Sequence, residues 1–279
     1  VTFREPSIGA WYQETPQQEG AGWRRWITRA ANFAIVYTEG TAGAALQDRF
    51  ADEHFAFALT GGVGVTAGAD RVTLGEEDLA VVPPGECTLH FERAGILVQV
   101  VTAEESLVAA APNGATYADG AKEVARAEPW PEPVAGYRLR TYSTRAGYAR
   151  GGMVHAYRTR KLMIVPYERF LVPRDETQLT PHAHADFEQA SVALEGKWLH
   201  HLRVPWTANR LHWRPDRTIE IDSPSVTIIP AGVIHTSQGI AGEGMRLIDV
   251  FSPPRADFSQ RGWVDNAADY PMPTTLAGA

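Results

Sequence analysis

Only one cysteine is present, Cys87, so no internal disulfide can form and a reducing compartment, the cytoplasm, is expected. It lies in Val81-Val-Pro-Pro-Gly-Glu-Cys87 without a cationic neighbour, which reads as a structural thiol and not a nucleophile. Long apolar runs are also missing. The longest, such as Phe33–Tyr37, are far too short to cross a bilayer. Val1 to Ala10 shows no basic region followed by an apolar stretch, so no secretory signal is visible there. There is no polybasic run, and the formal net charge is −7. Nucleic acid and membranes are therefore not expected partners, and no helix-turn-helix segment appears. Helical periodicity is weak except for an Ala-rich stretch near Ala103–Ala111.

What the chain does have is a globular composition, 279 residues with 44% hydrophobic and 21% charged, enough for one large domain or two ordinary ones. Short β-rich runs separated by Gly, Pro and Asp dominate. They are Phe55–Leu59, Arg71–Leu74, Leu79–Val82, Ile96–Val101, Leu162–Val165, Ser191–Leu194, Thr218–Ile221, Val226–Ile229 and Arg246–Phe251. Such texture predicts an all-β antiparallel sandwich or barrel. It also repeats. Leu59-Thr-Gly61 answers Leu194-Glu-Gly196 at an offset of 135, and Asp78–Gly85 answers Ser223–Gly232 at an offset of 147. An extra 12 residues near Trp206–Arg214 account for the difference. Duplication of one barrel explains the pattern. The expected organisation is a first barrel over 1–110, a linker and surface wrap over 111–150, and a second barrel with a tail over 151–279.

The chemistry concentrates in Thr180-Pro-His182-Ala-His184-Ala-Asp-Phe-Glu188-Gln189-Ala-Ser-Val-Ala-Leu-Glu-Gly196. In extended chain, residues two apart share a face, so His182 and His184 can aim at one point. A third donor follows on the strand toward Gly196. His235, after the Pro230-Ala-Gly232 turn, can return to the same pocket. Neutral imidazoles with an oxygen donor suit one divalent transition metal, Fe, Ni, Mn, Co or Zn, and thiolate chemistry is absent. A lone histidine usually just packs; three in two spaced motifs point to a ligand set. His155, His200, His201 and His212 read as packing or surface residues, with at most one of the adjacent pair His200 and His201 facing the pocket.

These spacings resemble the two motifs of the cupin superfamily: His-x-His, four residues, an acid or amide, six residues and Gly, then Pro-x-Gly-x-x-His. The resemblance covers Val165 to Ala256 strongly and the first half only by its strand-and-turn pattern. It implies two tandem cupin jelly-roll barrels. Counting on the motif favours Gln189 as the fourth metal ligand over Glu188, its neighbour on the opposite strand face. Carried back by the same offsets, the ligand positions of the first half hold Gln47, Arg49, His54 and Thr88. One histidine among four makes the N-terminal barrel a degenerate one without metal.

Asp249-Val-Phe251-Ser-Pro-Pro-Arg255 resembles the closing segment of small pectin-degradation cupins, which open unsaturated uronate rings with a metal held by three histidines and one glutamine. The resemblance implies that Asp249, Phe251 and Arg255 line the pocket as a proton-moving carboxylate, an apolar wall and a two-point carboxylate clamp. Pairing of Asp249 with Arg255 is the bland alternative. Two barrels and a tail containing Trp263 and Tyr270 depart from those single-barrel proteins. An iron dioxygenase, with Trp198, Trp206 and Trp213 as a possible aromatic lining, and a non-catalytic ligand-binding cupin are the other readings. The expected partner is a small-molecule substrate, and a homodimer is compatible with the fold.

Overall fold

The computed structural model describes residues 3–276. Among them the strands form three antiparallel sheets, two of seven strands and one of four. The earlier half supplies one seven-stranded sheet, ordered Arg140–Ser143, Asp78–Val82, His54–Ala58, Gly95–Thr102, Phe33–Gly40, Trp23–Arg29 and Gln18–Gly20. Its four-stranded partner runs Ala45–Phe50, Gly85–Phe91, Val63–Ala67 and Asp70–Leu74. The later half forms the third sheet around two long neighbours, Gln189–Arg203 and Ile234–Phe251. Most of the strands expected from sequence are found to within one residue at each end. Ser191–Leu194 and Arg246–Phe251 are pieces of the two long strands. The Ala-rich stretch becomes a 3₁₀ helix, Ser106–Ala110. No helix among the described residues is long and apolar enough to cross a membrane.

Two strands cross the expected boundaries. Ser7–Gly9 pairs with Ser225–Ile229 of the later sheet, and Arg140–Ser143, inside 111–150, pairs with Asp78–Val82 of the earlier one. The N-terminal segment therefore edges the later sheet, and the segment expected as linker edges the earlier one.

The two seven-stranded sheets pack face to face. Phe55, Phe57, Val98 and Val100 of the earlier sheet share one core with Val192, Ile228, Ile248 and Val250 of the later one. This explains the Phe33–Tyr37 run. Phe33, Ile35 and Tyr37 face that shared core, whereas Ala34 and Val36 face the interior of their own half, so both strand faces are apolar. Each fully buried side chain of this kind contributes about 1.5–3 kcal/mol.

The later sheet closes on itself where the two long strands lose register between Ala193 and Trp198, bulges that bend both strands together. Gly196 sits in this bend at φ 83°, and a Cβ there would collide with Met245. Alternation then fixes the faces: Ala190, Val192 and Leu194 go to the shared core, leaving Gln189, Ser191 and Ala193 for the interior.

The equivalent interior of the earlier half holds His54, 1% exposed, edge-on to Phe50 at 4.4 Å between ring centroids. Neither of its ring nitrogens has a hydrogen-bond partner among the described residues. Burial lowers its pKa to about 3. A base whose folded pKa lies below its unfolded value loses folding stability as pH falls through the unfolded value, near 6.5, down to the folded one. His54→Phe should therefore flatten the acid limb. From pH 7.5 to 4.5 the wild-type chain should lose about 2–3 kcal/mol more than the variant in urea unfolding.

Candidate metal centre

His182 forms a two-way backbone bridge with His235: His182 N–H donates to His235 O at 3.0 Å and His235 N–H to His182 O at 2.8 Å. Gly232 N–H donates to His184 O, tying the second histidine to the Pro230-Ala-Gly232 turn. As a result His182, His184 and His235 each bring a side-chain nitrogen within 4.8 Å of the others. His184 and His235 are buried, and His182 is exposed, so the cluster meets solvent along one side. A cleft of about 370 Å³ lined by Pro181, Leu202, Arg217 and Ile234 reaches the cluster at His235.

Gln189 and Glu188 separate as strand alternation requires. Gln189 Oε1 lies 3.0 Å from His184 Nε2 and 3.1 Å from His235 Nε2. Glu188 turns the other way, accepting from the Ala31 backbone N–H at 2.6 Å and from the Tyr117 hydroxyl at 3.2 Å. Burial pushes the Glu188 carboxyl up to about 7.

The hydrogen bonds also fix how the imidazoles present themselves. His182 Nδ1 faces Thr180 O and His235 Nδ1 faces Val233 O, both at 2.9 Å. A carbonyl only accepts, so each Nδ1 carries the proton and each Nε2 offers a lone pair. At His235 that lone pair faces Gln189 Oε1, another acceptor. Acceptor against acceptor at 3.1 Å is repulsive unless a cation lies between them. Burial holds His184 and His235 neutral, with pKa values lowered to about 3 and about 4. A divalent cation meets both needs, and two imidazoles, a third close by and an amide oxygen form a donor set suited to one.

Phe251 lies beside the histidines as expected of it, joined by Phe187, whereas the three tryptophans offered as an alternative lining do not. Phe187 stacks on His184 at 4.4 Å, and Phe251 meets its edge at 5.4 Å. Of the tryptophans, Trp198 is buried beside Ile221, Met245 and Leu247. Trp206 and Trp213 stack on each other at the surface, Trp206 being 74% exposed. The wall beside the histidines is therefore made of phenylalanine.

Asp249 and Arg255 do not pair with each other. Arg255 gives its Nε and Nη2 to Asp257, at 2.9 and 2.6 Å, which occupies the fork expected to clamp a carboxylate. Its Nη1 points at His184 Nδ1, 3.4 Å away. Asp249, 6% exposed, accepts from the Ser191 hydroxyl at 2.7 Å and from the Tyr167 hydroxyl at 3.0 Å. Burial raises its pKa despite those two donors. The Tyr167 phenol is raised well above its usual value, first by burial and then by the Asp249 charge.

Sequence reasoning missed Ser191, Tyr167, Phe187 and Asp257. Ser191 had a signal, since it lies two residues after Gln189 on the same face. His200 was read as packing. It is 1% exposed, its Nδ1 is 2.9 Å from Ser237 Oγ, and its strand register places it beside Ser237.

No protein-family model matches the sequence, and no curated protein matches it by sequence. Solved structures do match by shape. A cupin 2 conserved barrel domain protein from Leptotrichia buccalis superposes with a TM-score of 0.51 at 8% identity, covering 90% of this chain and 98% of that one. Protein Ylba from E. coli gives 0.58 at 10%, covering 91% and 93%. A single-residue variant of the oxalate decarboxylase of Bacillus subtilis gives 0.55 at 14%, covering 91% and 78%. At such identities the likeness is one of fold: the chain has a cupin-type β-barrel, jelly-roll architecture.

Proposed function

We propose that this chain is a metal-dependent cupin enzyme acting on a small carboxylate-bearing molecule, by ring-opening isomerisation of an unsaturated sugar acid. The observation that carries the reading is the convergence of the nitrogens of His182, His184 and His235 with the Gln189 oxygen, the Nε2 of His182 and of His235 being left unprotonated by their carbonyl-bound Nδ1. In this reading those four side chains hold one divalent transition metal. When bound, it would supply Lewis-acid polarisation of substrate oxygens. All four ligands are neutral, so the charge of a bound metal would be left uncancelled and the site would favour an anion, while the Arg255 charge is already balanced by Asp257. Phe187 and Phe251 make the apolar wall. Asp249 meets the Gln189 amide through the Ser191 hydroxyl, so in this reading it supports a ligand instead of meeting substrate. Support for a divalent metal comes from the structural neighbour oxalate decarboxylase of Bacillus subtilis, described as having Mn(II) centres. Its name also specifies a carboxylate substrate.

The proposal extends to the architecture, two tandem barrels of which the first has lost its metal. Strand pairing supports it. His54 opposite Val82 and Gln47 opposite Thr88 are related to Gln189 opposite Ile229 and His182 opposite His235 by the offsets of 135 and 147. The earlier interior instead holds Arg25 bound to Asp48, with Gln99 and Thr38 alongside.

The test is turnover of an unsaturated uronate monosaccharide by the metal-loaded protein under nitrogen, followed by loss of the ring double-bond absorbance. Ring opening without oxygen, absent in His182→Ala, is the expected result. Turnover only with oxygen uptake would replace the isomerase by a dioxygenase. Metal and ligand binding with no turnover in either assay would leave a binding protein.

A further inference from the structure

We infer that Asp249, through Ser191, sets which end of the Gln189 amide faces the histidines, and so acts as a positioning residue for the metal ligand and not as a base toward substrate. This rests on the metal reading above. An amide has one end that can ligate a cation and one that cannot, and the two have nearly the same shape. Something in the surroundings must choose between them.

The choice is written in a chain of three hydrogen bonds. Gln189 Nε2 donates to Ser191 Oγ at 2.9 Å. Ser191 Oγ donates its single proton to Asp249 Oδ1 at 2.7 Å, which leaves its lone pairs toward the amide. The other carboxylate oxygen accepts from Tyr167 at 3.0 Å. A carboxylate can only accept, so the serine proton must point at Asp249, the serine oxygen must accept, and the amide must offer its NH₂. Gln189 Oε1 is thereby turned to His184 and His235. The groups are buried: Gln189 is 2% exposed, Ser191 0% and Asp249 6%. Solvent cannot re-pair them, and a flipped amide would set its carbonyl against Ser191 without a donor.

Ser191 and Asp249 stand opposite each other on neighbouring strands, with Gln189 two residues before Ser191 on the same face. The first half lacks the arrangement. Ala56 is the residue two after His54, and Gln99 stands opposite it. An imidazole needs no such relay.

The test exploits the symmetry of a carboxylate. Glutamate at 189 presents an oxygen at either end, so its ligating power does not depend on Ser191. Mn(II) affinity is measured by titration of the metal-free full chain for the parent, Ser191→Ala, Gln189→Glu and the double variant, with thermal midpoints to establish folding. Ser191→Ala should weaken Mn(II) about 10-fold with Gln189 in place, and less than about 3-fold in the Gln189→Glu background. Equal losses in both backgrounds, or no loss with Gln189, would overturn the inference while leaving the metal reading intact. A folded parent that binds no Mn(II) would remove both.

Discussion

Alanine at position 235 should cost the protein its metal while leaving its fold. Mn(II) affinity is expected to fall by at least about 100-fold, more than the 10–100-fold typical of losing a residue that only orients a ligand. His235 is the ligand to choose because its backbone and side chain act separately. The main-chain bridge to His182 uses N–H and C=O groups that alanine retains, and the strand stays paired with Leu202. Its ring alone offers the lone pair facing Gln189. The side chain is 2% exposed, so truncation leaves a small cavity costing about 1–2 kcal/mol. Metal content of the purified protein, Mn(II) titration and the urea midpoint separate the two effects. Retention of parental affinity by a folded His235→Ala chain would sink the assignment.

The convergence of His182, His184, Gln189 and His235 was readable because the information is local. His182 and His184 are two apart, and His235 follows, at the start of a strand, the Gly232 turn with its own sequence signature. Gln189 and Glu188 differ by the parity of one strand. The strands were readable for the same reason, since period-two patterning and Gly or Pro punctuation act over a few residues. What escaped depends on distant pairing. Glu188 finds Ala31 and Tyr117, 157 and 71 residues away. Tyr167 meets Asp249 from 82 residues away. Arg255 could be recognised as an arginine near the site, yet whether its fork was free depended on how the chain turns at Asp257. The crossing of Ser7–Gly9 into the later sheet had no local mark, because a three-residue edge strand carries almost no periodicity.

Asp48→Ala should be the mirror image of His235→Ala: metal retained, stability lost. Arg25 is 3% exposed, and its guanidinium meets Asp48 at 2.7 and 2.5 Å. Gln99 Oε1 at 3.1 Å and Thr38 Oγ1 at 3.2 Å complete its shell. Those two are neutral acceptors, so Asp48 alone balances the buried charge. Removing one partner of such a pair typically costs about 3–5 kcal/mol, because the remaining ion is left in a poor solvent. A double variant, Arg25→Met with Asp48→Leu, should recover most of that loss, since an apolar pair of similar volume has no charge to desolvate. Urea unfolding would measure both. Because the N-terminal strand edges the later sheet and the two large sheets share one core, the destabilised chain should unfold in a single transition, with its lost stability felt in the half that holds the histidines. Mn(II) affinity of the still-folded Asp48→Ala chain should match the parent. A loss of affinity there would mean that the earlier interior contributes to the proposed metal site, against the proposal that this site belongs to the later half alone.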